Sequence, residues 1–177
     1  MPTTAKHYTP ASRDADDIYL LLLHSTSGTG SAEQLRQYFA TGERQVSAHY
    51  IVDASGRQAL SVEPKDIAYH AGNWDINRRS IGIELVGVAG QSAFPVPQLM
   101  SLTKLMAQLS ERFDLSLRRV YDYNDGRIYL PFGVAQHANV WGGDHTDISP
   151  RFAIRDVCAH ARDYRNKMYG VPRVERA

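Results

Sequence analysis

Two separated segments of this 177-residue chain carry residue types that chemistry can use together. One runs Gln136-His137-Ala138-Asn139-Val140-Trp141-Gly142-Gly143-Asp144-His145-Thr146-Asp147, the other Leu20-Leu21-Leu22-Leu23-His24-Ser25-Thr26. A hydrolytic zinc site takes three protein ligands of the histidine and carboxylate type and leaves a fourth position for water. His24, His137 and Asp147 are the candidate set. His145, two residues before the carboxylate, would then overhang the reacting group. The spacing is not the H-E-x-x-H of helical zinc proteases, so it is not specific by itself.

Position separates the chain's seven histidines. His24 follows an apolar run and opens the flexible Ser27-Gly28-Thr29-Gly30, while His137 and Asp147 bracket Gly142 and Gly143, which let the loop bend both side chains inward. His49, alternating with Tyr50, reads as a hydrogen-bonding core histidine. His70, Asn73 and Trp74 share a loop that either lines a groove for sugar or peptide or stabilises itself. His160 reads as structural, and His7, in the polar arm, reads as disordered. Glu84 sits mid-strand among apolar residues, where an unpartnered carboxylate is expensive. Either a salt bridge to Arg78 or Arg79 or a chemical function must account for it.

The elements that must position these residues follow from pattern. Residues 1–15 are polar and pattern-free, an extended arm; residues 16–170 form the domain, and residues 171–177 a flexible tail. Ile18 to Leu23 is a continuous apolar run, the signature of a strand buried on both faces. Ser31 with Gln34 has the form of a capping box, so a helix follows with Leu35, Tyr38 and Phe39 on one side and stops near Gly42. Val46 to Val52 and Gln58 to Val62 flank a turn at Asp53-Ala54-Ser55-Gly56, a hairpin. Ser80 to Gly87 reads as another buried strand. After Pro95 and Pro97, Leu99, Leu102, Leu105, Met106 and Leu109 recur at helical spacing. Residues 114–135 read as irregular. Ser149-Pro150 has the form of an N-cap followed by proline at the first helical position, starting a last helix that Gly170 ends. Strands separated by helices imply an α/β fold, one domain with a mixed central sheet flanked by helices on both faces.

Bulk composition narrows the partners. A hydrophobic fraction of 43% suffices for a sizeable core. Lys and Arg total 20 against 19 Asp and Glu, which gives no general reason to propose nucleic acid or an anionic membrane as partner. No stretch reaches the roughly 20 apolar residues needed to span a bilayer. The N-terminus lacks the apolar block of a signal peptide, so the expectation is a cytoplasmic protein as synthesised, and a monomer. The single cysteine, Cys158, allows no internal disulfide and reads as a small half-buried hydrophobe.

Taken in order, the motifs Leu22-Leu23-His24-Ser25-Thr26, Val46-Ser47-Ala48-His49-Tyr50-Ile51-Val52-Asp53 with Gly56, Tyr69-His70-Ala71-Gly72, Ser80-Ile81-Gly82-Ile83-Glu84-Leu85 and the loop from His137 to Asp147 resemble the zinc-dependent N-acetylmuramoyl-L-alanine amidases of the amidase-2 type. That group takes in phage lysozyme-like amidases, peptidoglycan-recycling amidases and the peptidoglycan recognition proteins, and the resemblance spans roughly residues 18–165. It implies His24, His137 and Asp147 as zinc ligands and Glu84 as the catalytic carboxylate. A rival register makes His145 the second ligand, from the likeness of His145-Thr146-Asp147-Ile148-Ser149-Pro150 to a family segment. It then requires a carboxylate or cysteine about ten residues on, where Arg155 stands, so the register of His137 with Asp147 is preferred. The family's usual lysine two residues before the last ligand is replaced here by His145, and its Pro-Gly after that ligand by Ile148-Ser149.

Zinc on two neutral imidazoles and a carboxylate keeps a net charge of about +1 and lowers the pKa of water toward neutrality. The resemblance implies that Glu84 moves the protons and that His145 faces the oxyanion. The implied function is cleavage of the amide between N-acetylmuramic acid and L-alanine of peptidoglycan, by an endolysin acting at the cell wall or by a muropeptide-recycling amidase. A non-catalytic muropeptide-binding module and a zinc amidohydrolase cutting within the peptide are the alternatives.

Overall fold

The computed structural model describes residues 3–120, 132–139 and 147–170. In chain order the strands are β1 (Tyr8–Thr9), β2 (Leu20–Ser25), β3 (Tyr50–Val52), β4 (Gln58–Leu60), β5 (Ile67–Ala68), β6 (Ser80–Leu85) and β7 (Gly133–Gln136). The helices are α1 (Ala32–Thr41), α2 (Trp74–Asn77), α3 (Val96–Phe113) and α4 (Ile154–Tyr169), and a single 3-10 turn covers His137–Asn139.

The apolar run predicted as a doubly buried strand is β2, all six residues of which are buried. It lies inside a five-stranded sheet of order β4-β3-β6-β2-β7, parallel except for β4 at one edge. Side chains alternate across a strand, and the two faces of this sheet differ. Leu21 and Leu23 of β2, Ile81, Ile83 and Leu85 of β6 and Val134 of β7 pack with α3 and α4 in the larger core. On the opposite face, Leu20, Leu22 and Ala135 pack with Ile76 of α2, and Ile51 packs with Ala32 and Phe39 of α1. The mixed sheet with helices on both faces is thus as expected. Because α1 and α2 are short, they leave room on their face for a cleft.

Local chemistry sets the ends of these elements. Ser31 and Gln34 form the reciprocal capping box, with Ser31 Oγ accepting from Gln34 N at 3.2 Å and Gln34 Oε1 accepting from Ser31 N at 2.8 Å. Asp53 holds the hairpin turn by accepting from Ser55 N and Arg57 N, and its second oxygen accepts from Ala32 N, tying the start of α1 to the turn. Gly56 closes the turn at φ +83°, where an L side chain is strained.

Four features depart from the sequence reading. The regular ladder of the hairpin starts at Tyr50 rather than Val46, because Ser47 bonds instead with the backbone of Tyr69 through both its N–H and its hydroxyl. The stretch expected to be irregular contains β7, a four-residue strand paired in parallel with β2. The last helix begins at Ile154, not at Ser149-Pro150, since Ser149 O is committed to a turn that accepts from Phe152 N. The arm is tied down at several points, so His7 is not disordered as expected: Lys6 N donates to Phe39 O, β1 pairs with β5, and Arg13 is buried in the domain.

Arg13 donates to five backbone carbonyls, those of Asn77, Arg78, Ser80, Pro64 and Asp66. Burial pushes its pKa down to about 10, so it stays charged at neutral pH. The guanidinium joins the arm, the loop before β5 and the start of β6, and nothing in a pattern-free polar arm announces it. Truncating it strands several buried acceptors, each worth about 1–3 kcal/mol when left without a partner. Arg13→Ala should therefore lower the unfolding free energy by at least about 3 kcal/mol in urea titration, and a loss under about 1 kcal/mol would contradict this role.

Candidate metal centre

Parallel pairing of β2 with β6 sets His24 directly across from Glu84. By alternation the same face of β6 carries Ser80, Gly82 and Glu84, the positions between its core-facing isoleucines and leucine. On the other side of β2, β7 ends at Gln136 and delivers His137 into the 3-10 turn. The chemistry thus gathers at the carboxyl ends of adjacent parallel strands, where open α/β sheets form their binding crevices. Asp147 enters from beyond β7, held beside the sheet by Gly90 N donating to its carbonyl and by a bridge between Gln91 and Ile148.

His24, His137 and Asp147 each bring one ligand atom into a group within 4.8 Å of one another. Asp147 Oδ2 lies 3.1 Å from His24 Nδ1 and 3.5 Å from His137 Nδ1. His137 Nε2 faces the carbonyl of Ala71 at 3.3 Å. A carbonyl only accepts, so Nε2 carries a proton and Nδ1 is the nitrogen turned toward Asp147. Two nitrogens and one oxygen, close-set, match the ligand set of a zinc site with an open fourth position.

Electrostatics favour a cation there. Burial pushes Asp147 upward, but its close contacts with His137 and His24 outweigh it and hold the carboxyl well below the usual range. Burial lowers His24, leaving the imidazole neutral with a lone pair to donate. Glu84 is pushed up to about 8, first by burial and then by the negative charge of Asp147. Its Oε2 is buried and has no hydrogen-bond partner among the described residues. The salt-bridge explanation for Glu84 does not hold: Arg78 is paired with Asp75, and Arg79 lies over the ring of Tyr19. A buried carboxylate with an orphaned oxygen beside two imidazoles and an aspartate is the environment a divalent ion would relieve.

These groups line a cleft of about 700 Å³ that extends past Tyr38, Arg44 and Tyr69. His70 also lines it, but both its ring nitrogens are engaged inside the protein, by His24 and Ser80. Asn73 spends its side chain capping α2. Trp74 is 53% exposed. His145, the expected oxyanion-facing residue, lies outside the described residues. His49 is a buried core histidine as expected, its Nδ1 accepting from Gly82 N. Cys158 is buried in the α3–α4 core. Sequence reasoning missed the parts played by Ser80, Gly82 and the carbonyl of Ala71. Of these only Gly82 left a signal, since a glycine inside a strand marks close approach of another group.

Residues 14–151 match the family model described as N-acetylmuramoyl-L-alanine amidase. No curated protein matches the sequence. Among solved structures, a selenomethionine derivative of AmpD aligns at TM-score 0.65 with 22% identity, covering 90% of this chain and 92% of that one. The catalytic domain of XlyA aligns at 0.63 with 18% identity and the same coverages. The N-acetylmuramoyl-L-alanine amidase LysC from Clostridium intestinale URNW aligns at 0.60 with 13% identity, again over 90% and 92%. At these identities the structural likeness bears on the fold.

The raised pKa of Glu84 makes a stability prediction for metal-free protein. Below the ordinary value of 4.5 the carboxyl is protonated in both states, and between there and about 8 only the unfolded chain ionises. Stability is therefore lost as pH rises through that window. In chelator-treated protein, Glu84→Gln should melt above wild type around pH 7.5, and the gap should close toward pH 4.5. A gap that does not vary with pH would contradict the assignment.

Proposed function

This chain belongs to the N-acetylmuramoyl-L-alanine amidase family and is accordingly a peptidoglycan amidase, and we propose that His24, His137 and Asp147 hold a zinc ion that serves cleavage of the amide between N-acetylmuramic acid and L-alanine. The observation that carries this reading is the convergence of two imidazole nitrogens and a carboxylate oxygen beside the orphaned carboxyl of Glu84. Bound there, zinc supplies a Lewis acid that polarises the scissile carbonyl and acidifies water.

The chain's own groups do the rest. Glu84 takes the proton of the attacking water at its unpartnered oxygen and returns a proton to the nitrogen of L-alanine as the carbon–nitrogen bond breaks. Burial raises this carboxyl in the metal-free protein, and a cation held beside it would favour the ionised form that accepts the first proton. Asp147 stays ionised, and each imidazole offers its Nδ1 to the metal. His145 faces the oxyanion in this scheme, a donor worth about 10²–10³ in rate. Of His70, Asn73 and Trp74 only His70 lines the cleft; we assign direct substrate contact to Trp74, four residues along the same loop, whose exposed indole offers an apolar platform for a sugar ring. His70 and Asn73 keep that loop in shape.

A muropeptide binder without activity is disfavoured by Glu84, because a site that only binds gains nothing from a buried carboxyl with an orphaned oxygen. The test is mass spectrometry of products from purified peptidoglycan and from soluble muramoyl peptides. Intact muramic acid and a free L-alanine amine are expected, lost on chelation and restored by zinc. Glu84→Gln should retain stoichiometric zinc while turnover falls by at least about 10²–10⁴. Wild-type protein saturated with zinc that releases no stem peptide would overturn the enzymatic reading. Activity on intact sacculi compared with soluble fragments distinguishes a wall-lytic enzyme from a recycling one.

A further inference from the structure

We propose that His70 is a positioning residue: it fixes the tautomer of His24 through a Ser80–His70–His24 relay and so keeps His24 Nδ1 deprotonated and aimed at the metal centre. The inference rests on the reading of His24 as a metal ligand.

The relay can be read proton by proton. Ser80 Oγ donates its one hydrogen to the carbonyl of Ile76 at 2.6 Å. Toward His70 Nε2, 3.2 Å away, the hydroxyl can then only accept, so Nε2 carries the ring proton of His70. A neutral imidazole has one such proton, which leaves His70 Nδ1 as an acceptor. That nitrogen lies 3.0 Å from His24 Nε2, which must therefore donate. His24 Nδ1 is left with its lone pair facing Asp147 Oδ2 at 3.1 Å. Two acceptors so placed have no proton to share, and a cation between them resolves the contact. Burial pushes His70 well below its ordinary pKa, and the neighbouring His24 and His49 push the same way, in keeping with a neutral ring.

The backbone is shaped to hold this ring. A Cβ on Gly82 would fall 2.5 Å from His70 Cγ, so the imidazole rests directly on the backbone of β6. His49 packs edge-on against His70 at 5.6 Å between ring centroids, and its Nδ1 takes the N–H of Gly82. Behind His49 lies Arg13, its Nη2 2.8 Å from His49 Nε2. His70 therefore cannot tilt without disturbing β6, the strand that carries Glu84. Metal-ligating histidines commonly donate their second nitrogen to a carboxylate or a carbonyl. His137 does so through Ala71, whereas His24 uses a second histidine whose own tautomer is set by a serine.

The test measures zinc affinity by competition with a chromophoric chelator, together with the imidazole ¹⁵N shifts of His24 in metal-free protein. Wild type should show His24 as the Nε2–H tautomer. His70→Phe keeps the ring and removes the acceptor; zinc affinity should fall about 10–100-fold, and His24 should become a mixture of tautomers. His70→Gln, whose carbonyl oxygen can accept, should recover most of the loss. Ser80→Ala leaves the histidines in place and releases His70 to either tautomer, so it should mix the His24 signal even if His70→Phe fails to fold. Wild-type zinc affinity in His70→Phe, or an unchanged Nε2–H tautomer of His24 in Ser80→Ala, would overturn the proposal. Failure of wild type to bind zinc would instead overturn the reading of the metal centre, while the tautomer measurement would still decide on the relay.

Discussion

The parallel pairing of β2 with β6 is the constraint on which the centre depends. It places His24 opposite Glu84, and alternation then puts Ser80, Gly82 and Glu84 on one face while Ile81, Ile83 and Leu85 fill the core on the other. A slip of one residue in either strand would exchange these sets, burying the carboxyl among the side chains of α3 and α4 and lifting isoleucines into the cleft. Register is therefore enforced by the larger hydrophobic core. The same burial that fixes the strands also removes water from Glu84 and His24 and shifts both toward their neutral forms.

Opposing charge demands meet at this point. Asp147 is held ionised where it meets His24 and His137, and its charge adds to the burial that disfavours ionisation of Glu84. Two carboxyl groups and two imidazoles at the mouth of a buried strand pair have few good arrangements without a cation. The protein resolves the protons of the imidazoles outward, to Ala71 O from His137 and to His70 from His24. Donor atoms are thereby oriented before any ligand arrives, and preorganisation of this kind separates a tight site from a loose one.

What could be read from the sequence follows the range of the interactions involved. β2 was legible because a six-residue apolar run is a local signal, and the capping box of α1 and the Asp53–Gly56 turn are local in the same way. His24, His137 and Asp147 could be proposed from residue type and strand ends, but choosing His137 over His145 needed the family resemblance as well. β7 was not legible: Gly133-Val134-Ala135-Gln136 has little intrinsic strand preference and is ordered by pairing with β2 and by Val120 and Arg118 on its other side. Arg13 was hidden for the same reason, since its five acceptors come from segments some fifty or more residues away. The Ser149-Pro150 signal misplaced the start of α4 because a turn and a helix compete for the same cap chemistry there.

The central claim is that two imidazoles carried at neighbouring strand ends, with Asp147, form a zinc site. Zinc K-edge absorption of the stoichiometrically loaded protein tests it most directly. The account predicts one tightly held zinc with two imidazole nitrogens and oxygen completing the shell, all at about 2.0–2.2 Å. No uptake at one equivalent would contradict it. So would a sulfur contribution at about 2.3 Å, which would require Cys158 to leave the core.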